Sequence, residues 1–116
     1  IVPRDEATIR AFLIKVKKVL PDKDLVLFVP TAKTMRELSA LGLQVQDVFR
    51  IVAKLEPRHW FSGPELDRDG SPGEVFVFMY PYVDILLYIK LKAQEREDGT
   101  HLLILSFHEE GQHGAP

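Results

Sequence analysis

The sequence predicts an α+β domain in which N-terminal helices pack on a small, mainly antiparallel sheet. Three observations predict it. Apolar residues recur at helical spacing through the first half of the chain. Short β-branched and aromatic segments fill the second half, and they follow one another across short turns. The length, 116 residues, is that of one domain, and 1–116 is read as a single unit. Apolar residues make up 46% of the chain and charged residues 28%, which supplies a core and argues against disorder.

The first helix is expected over Asp5–Leu20, where Ile9, Phe12, Leu13, Val16, Val19 and Leu20 share one face. Arg10, Lys15, Lys17 and Lys18 lie on the other, a charge pattern usual for a wet helix face. Pro21-Asp22 stops it, and Leu25–Val29 reads as a short strand. Thr34-Met35-Arg36-Glu37 has capping-box spacing for a second helix closing at Gly42. The third runs from about Gln46 to Leu55 and ends before Pro57. Glu56–Gly73, rich in Gly and Pro, is expected to be one long loop. Three strands then follow: Val75–Tyr80, apolar on both faces, Ile85–Gln94 and His101–Glu109.

The last hairpin decides which side chains meet. A three-residue turn, Glu97-Asp98-Gly99, pairs Leu91 with Leu105 and Ile89 with Phe107 on the buried face. The other face then carries Tyr88 beside His108 and Lys90 beside Ser106. A one-residue slip would turn every one of these side chains over, so burial selects this register.

Composition excludes several functions. There is no cysteine, hence no disulfide scaffold, thiol nucleophile or Cys-ligated zinc, and this fits a reducing cytoplasm. Lys plus Arg number 15 against 17 Asp plus Glu, a net charge of −2, which argues against a strongly basic nucleic-acid coat. No apolar run reaches membrane-span length, and no signal-peptide pattern opens the chain, so no membrane contact is expected. No Gly-rich phosphate cradle precedes a helix. His108, Glu109 and His113 miss zincin spacing, His59 and His101 have no partner at ligand spacing, and Asp67-Arg68-Asp69-Gly70 reads as an acidic turn. Neither a metal nor another cofactor is expected.

The chemistry then rests on Tyr88, Lys90, Ser106 and His108. Metal-free RNA cleavage needs a base for the ribose 2′-hydroxyl, an acid for the leaving 5′-oxygen and a cation for the phosphorane charge. His, Tyr and Lys supply these, each proton-transfer partner contributing ~10²–10⁴-fold. The bland alternative is the wet face of a two-sided sheet. His59-Trp60-Phe61 offers rings on which a base could stack, although Trp60 could equally cover the core.

Several segments resemble one family. Gly63-Pro64-Glu65, Asp67 and Asp69-Gly70-Ser71-Pro72-Gly73-Glu74, leading into Val75-Phe76-Val77-Phe78, are similar to the MqsR-type toxins of bacterial toxin–antitoxin pairs. Tyr88-Ile89-Lys90-Leu91-Lys92 and Ser106-Phe107-His108 extend the likeness, as does Leu41-Gly42 before the third helix, so that it covers Phe12 to His108. The resemblance implies a RelE-like fold and a cofactor-free mRNA endonuclease acting on free or ribosome-bound message. It also implies a cognate antitoxin with a DNA-binding part. Tyr88 and Lys90 fall on the family's Tyr-x-Lys strand, and His108 falls where the family has a terminal basic residue. These three are the expected catalytic residues, with His59, Trp60, Ser62, Lys92 and Ser106 as expected RNA contacts. Ser62 stands where many relatives carry lysine before the Gly-Pro pair. The rival is a toxin-fold domain, weakly active or inactive, that binds a partner protein.

Overall fold

The computed structural model describes residues 6–28 and 30–111. Asp5, Val29 and His113 lie outside the described residues. Helix α1 spans Glu6–Val19, β1 Val26–Leu27, α2 Ala32–Ala40 and α3 Val45–Ala53. Strands β2 (Trp60–Glu65), β3 (Glu74–Tyr82), β4 (Ile85–Arg96) and β5 (Gly99–Glu109) follow, and short 3₁₀ turns occupy Lys23–Leu25 and Pro57–His59. The class is α+β. The five-stranded sheet has the order β1-β5-β4-β3-β2, antiparallel except where β1 pairs parallel with β5.

Local chemistry sets the helix ends. In α1, Glu6 opens the first turn and pairs with Arg10, while Lys17 and Lys18 close the last, each charge complementing the helix dipole. Thr31, not Thr34, caps α2. Its hydroxyl accepts the Thr34 N–H at 3.1 Å, one turn earlier than the capping-box spacing suggested. The helix ends as expected at Gly42, whose positive φ lets Leu43 N–H reach back to the Leu38 carbonyl at 2.8 Å. Helix α3 starts at Val45, where the Asp47 carboxylate accepts the Gln44 N–H at 2.7 Å.

The helices cover one face of the sheet. Phe12 stacks on Phe76 with ring centroids 4.1 Å apart, and Phe78 lies next in line. Around them Val16, Leu38, Val48, Val52, Leu55, Leu87, Ile89, Leu91, Leu102 and Phe107 are buried. One core therefore takes residues from all three helices and from β3, β4 and β5. Among the described residues no helix is long and apolar enough to cross a membrane.

Two expectations need correction. The first is the long loop. Residues 60–65 form β2, an edge strand paired with β3. Its register shifts on both sides of Ser62, so the alternation that marks a strand in sequence is missing. Gly63 carries the closest approach, because a Cβ there would meet the Val75 carbonyl at 2.5 Å. Only residues 66–73 remain as a loop.

The second is the last hairpin. Arg96 pairs with Gly99, so the loop is the two residues Glu97-Asp98, and Leu91 faces Ile104 instead of Leu105. Leu105 is left over as a bulge between the Lys90–Ser106 and Leu91–Ile104 pairs, and it is 39% exposed. Ile104 and Phe107 are both buried yet three residues apart, which strict alternation cannot achieve. The bulge resolves that conflict. Beyond it the expected pairs appear: Ile89 with Phe107, Tyr88 with His108, and Lys90 with Ser106.

Leu91→Ala should therefore cost ~2–5 kcal/mol, while Leu105→Ala should stay below about 1 kcal/mol. Urea melts of the two variants check this. Equal losses would place Leu105 in the core.

Candidate active site on the open sheet face

Strand β4 sends Leu87, Ile89, Leu91 and Ala93 into the core. Its alternate residues Tyr88, Lys90, Lys92 and Gln94 stand on the face the helices leave open. On that face β5 contributes Ser106 and His108, β3 contributes Val75 and Val77, and β2 contributes Ser62. The sequence-derived set thus comes together in part. Tyr88 and His108 stack with ring centroids 5.0 Å apart and planes 12° from parallel. Ser106 lies across from Lys90. His108 Nδ1 is 2.9 Å from the Glu109 carbonyl, which can only accept, so Nδ1 is the donor of that bond.

A cavity of about 140 Å³ opens beside Tyr88 and Lys90. Ser62, Val75 and Val77 form the rest of its floor and side, and Glu65, Leu66, Asp67 and Arg68 close it. The last three belong to residues 66–73, which cross the open face as a strap. Sequence reasoning missed them. Asp67-Arg68-Asp69-Gly70 reads in sequence as an acidic turn, and nothing local reveals where that turn lies.

The strap is pinned by Lys92. Its ammonium group, 2% exposed, donates to the Asp67 carboxylate at 2.7 Å and to the Ser71 hydroxyl. Ser71 in turn donates through its hydroxyl and its N–H to Asp69. Gln94 adds a bond to the Pro72 carbonyl at 2.9 Å. The backbone lies so close to β4 at Gly73 that a Cβ would meet the Ala93 carbonyl and Lys92 Cε at 2.8 Å.

Three expected RNA contacts are therefore placed elsewhere. Lys92 is an internal ion pair under the strap. His59 is buried against Tyr80, and its Nδ1 accepts the Glu56 N–H at 2.9 Å, closing the 3₁₀ turn before β2. Trp60 packs against the core on the helix side and donates to the Gly63 carbonyl at 3.1 Å. Neighbouring Phe61 carries the exposed ring instead. His101, near the hairpin, pairs with Asp98 at 2.6 Å. Among the described residues no three His, Asp or Glu side chains converge as a metal site requires.

Compared with protein-family models, with curated proteins and with solved structures, the chain finds no match.

Asp67 in the strap and His59 before β2 are among the groups that tie this architecture to pH. The Lys92 hydrogen bond holds the Asp67 carboxyl below its ordinary range. A folded value below the unfolded one means that the pin stabilises fully above about pH 4 and is lost as the pH falls through the depressed folded value. Burial first, then the charge of Arg58, lowers the His59 pKa. Its contribution is complete above about pH 6.5 and declines as the pH falls from there towards the folded value. Hydrogen exchange of strap amides, taken as protection relative to the intrinsic rate at each pH, should show the strap opening in acid. Asp67→Asn should reduce that dependence to the part carried by Asp69, which the Ser71 hydrogen bonds hold low. Protection that is the same in acid as at about pH 6 would mean the pin does not hold the strap.

Proposed function

We propose that this protein is a metal-independent endoribonuclease of the MqsR/RelE-like toxin type, the toxic partner of a type II toxin–antitoxin pair. Its substrate is single-stranded mRNA, free or on the ribosome, and its inhibitor is a cognate antitoxin with a DNA-binding part. The observation that carries this reading is the juxtaposition of a cavity, Lys90, and a Tyr88–His108 ring pair on one open sheet face.

In this mechanism a phosphodiester enters the cavity beside Lys90. His108 Nε2 takes the proton of the RNA's own 2′-hydroxyl, whose oxygen attacks the adjacent phosphorus. Lys90 stabilises the extra negative charge of the phosphorane. Tyr88 gives its phenolic proton to the departing 5′-oxygen. The products are a 2′,3′-cyclic phosphate and a 5′-hydroxyl, and the displaced protons return through water. No oxidant, metal or nucleotide enters the balance. Ser106 and Ser62, on either side of Lys90, hold phosphate or ribose oxygens.

The rival interaction domain draws support from the rim. Glu65 and Asp67 place carboxylates beside the cavity, where they repel a polyanion unless neutralised. Asp67 is neutralised by Lys92, whereas Glu65 projects from the exposed end of β2.

The purified protein should cut single-stranded mRNA in EDTA, with or without added ribosomes, and leave 2′,3′-cyclic ends. His108→Ala should slow cleavage by ~10²-fold or more while the fold is kept. Lys90→Ala should slow it too, less than additively with His108→Ala, since both act in one transition state. No cleavage in either format by a folded protein would leave the partner-binding domain as the better account.

A further inference from the structure

Lys92 is charged and almost fully buried, yet nothing in the mechanism uses it. A buried ammonium must be paired, since unpaired it would be strongly destabilising. Its partner Asp67 sits 25 residues away in sequence, so this one pair fixes where the strap crosses the face. The residue after Asp67 is Arg68. With Asp67 held, Arg68 lines the wall of the cavity that Lys90 and Tyr88 line from β4. Among the described residues neither Arg68 nor Lys90 makes an ion pair or a side-chain hydrogen bond. Of the two acids that flank Arg68, Asp67 is committed to Lys92 and Asp69 accepts from the Ser71 hydroxyl and N–H, so neither takes the guanidinium from a ligand.

The chemistry of the two cations is complementary. A guanidinium offers a planar fork that grips two phosphate oxygens, and an ammonium acts as a compact point charge. A cavity of about 140 Å³ is below the ordinary size of a small-molecule site, and it admits a phosphate group with part of its sugar. In-line attack also requires the 2′-hydroxyl to swing opposite the leaving 5′-oxygen, which a stacked duplex resists and a flexible single strand permits.

We propose that Arg68 binds the phosphodiester of a single-stranded nucleic acid opposite Lys90, and that Lys92 is a positioning residue which holds Arg68 there through Asp67. The inference rests on the nucleic-acid reading of this cavity and adds the strap to its machinery. The strap is then part of the site, and Lys92 shapes it from beneath without touching substrate.

The test uses the full chain and a fluorescent 2′-O-methyl RNA 12-mer, which binds but lacks the hydroxyl needed for cleavage. Arg68→Ala should weaken binding about tenfold and lower the slope of log affinity against log salt by about 0.7, the loss of one single-strand phosphate contact. Arg68→Lys should restore the salt slope, because it restores the charge. Asp67→Asn should weaken binding as well, and adding Arg68→Ala to it should cost little more, since the released strap no longer presents the guanidinium. The Arg68 pair alters only an exposed side chain and decides the matter even where Asp67→Asn weakens the fold. If Lys90→Ala weakens binding while Arg68→Ala does not, the Arg68 assignment is overturned and the nucleic-acid reading stands. If the oligonucleotide does not bind the wild-type chain, both fall together.

Discussion

Strand β4 turns one face to the core and the other to the open side of the sheet, and the rest of the molecule depends on its strict alternation. Leu87, Ile89, Leu91 and Ala93 close the core under the helices. The residues between them, Tyr88, Lys90, Lys92 and Gln94, can therefore stand only on the opposite face. Core and candidate site are two sides of one pattern. Slipping the strand by one residue would turn two lysines into the apolar core and three large aliphatic side chains out of it, which is strongly unfavourable. The bulge at Leu105 serves the same end, since it lets β5 bury both Ile104 and Phe107 while His108 remains beside Tyr88.

The open face is divided by how each lysine is treated. Lys92 is covered, desolvated and neutralised, so its charge holds structure. Lys90, one alternation along the strand, is half-buried and borders a cavity, so its charge remains available to a ligand. The two residues are chemically identical and share a strand. Their difference lies in the strap, which covers one and stops beside the other. The same segment brings Arg68 to the cavity, so the element that removes one cation from the face supplies another.

The aromatic groups divide in a similar way. Of the three rings near β2 that could stack a base, the fold buries His59 as the acceptor that closes a turn and half-buries Trp60 against the core. Both are held by hydrogen bonds to backbone groups three residues away, contacts that the local sequence permits but does not announce. The ring pair that remains on the open face joins β4 to β5 and is set by strand register.

Helical faces, the Gly42 stop, the three-strand meander and the meeting of Tyr88 with His108 were legible in the sequence. Each follows from a repeat of two or 3.6 residues, or from a backbone position with few permitted residue types. The edge strand β2 was not legible, because bulges on either side of Ser62 break its alternation. Nor was the burial of Lys92, since a charged residue at a sheet-face position reads as solvated. Only the tertiary structure brings Asp67 to it across 25 residues and turns an exposed cation into a pin. Periodicity is a property of neighbouring residues and is written along the chain, whereas the fate of a charge depends on what covers it, and that is decided by segments far away in sequence.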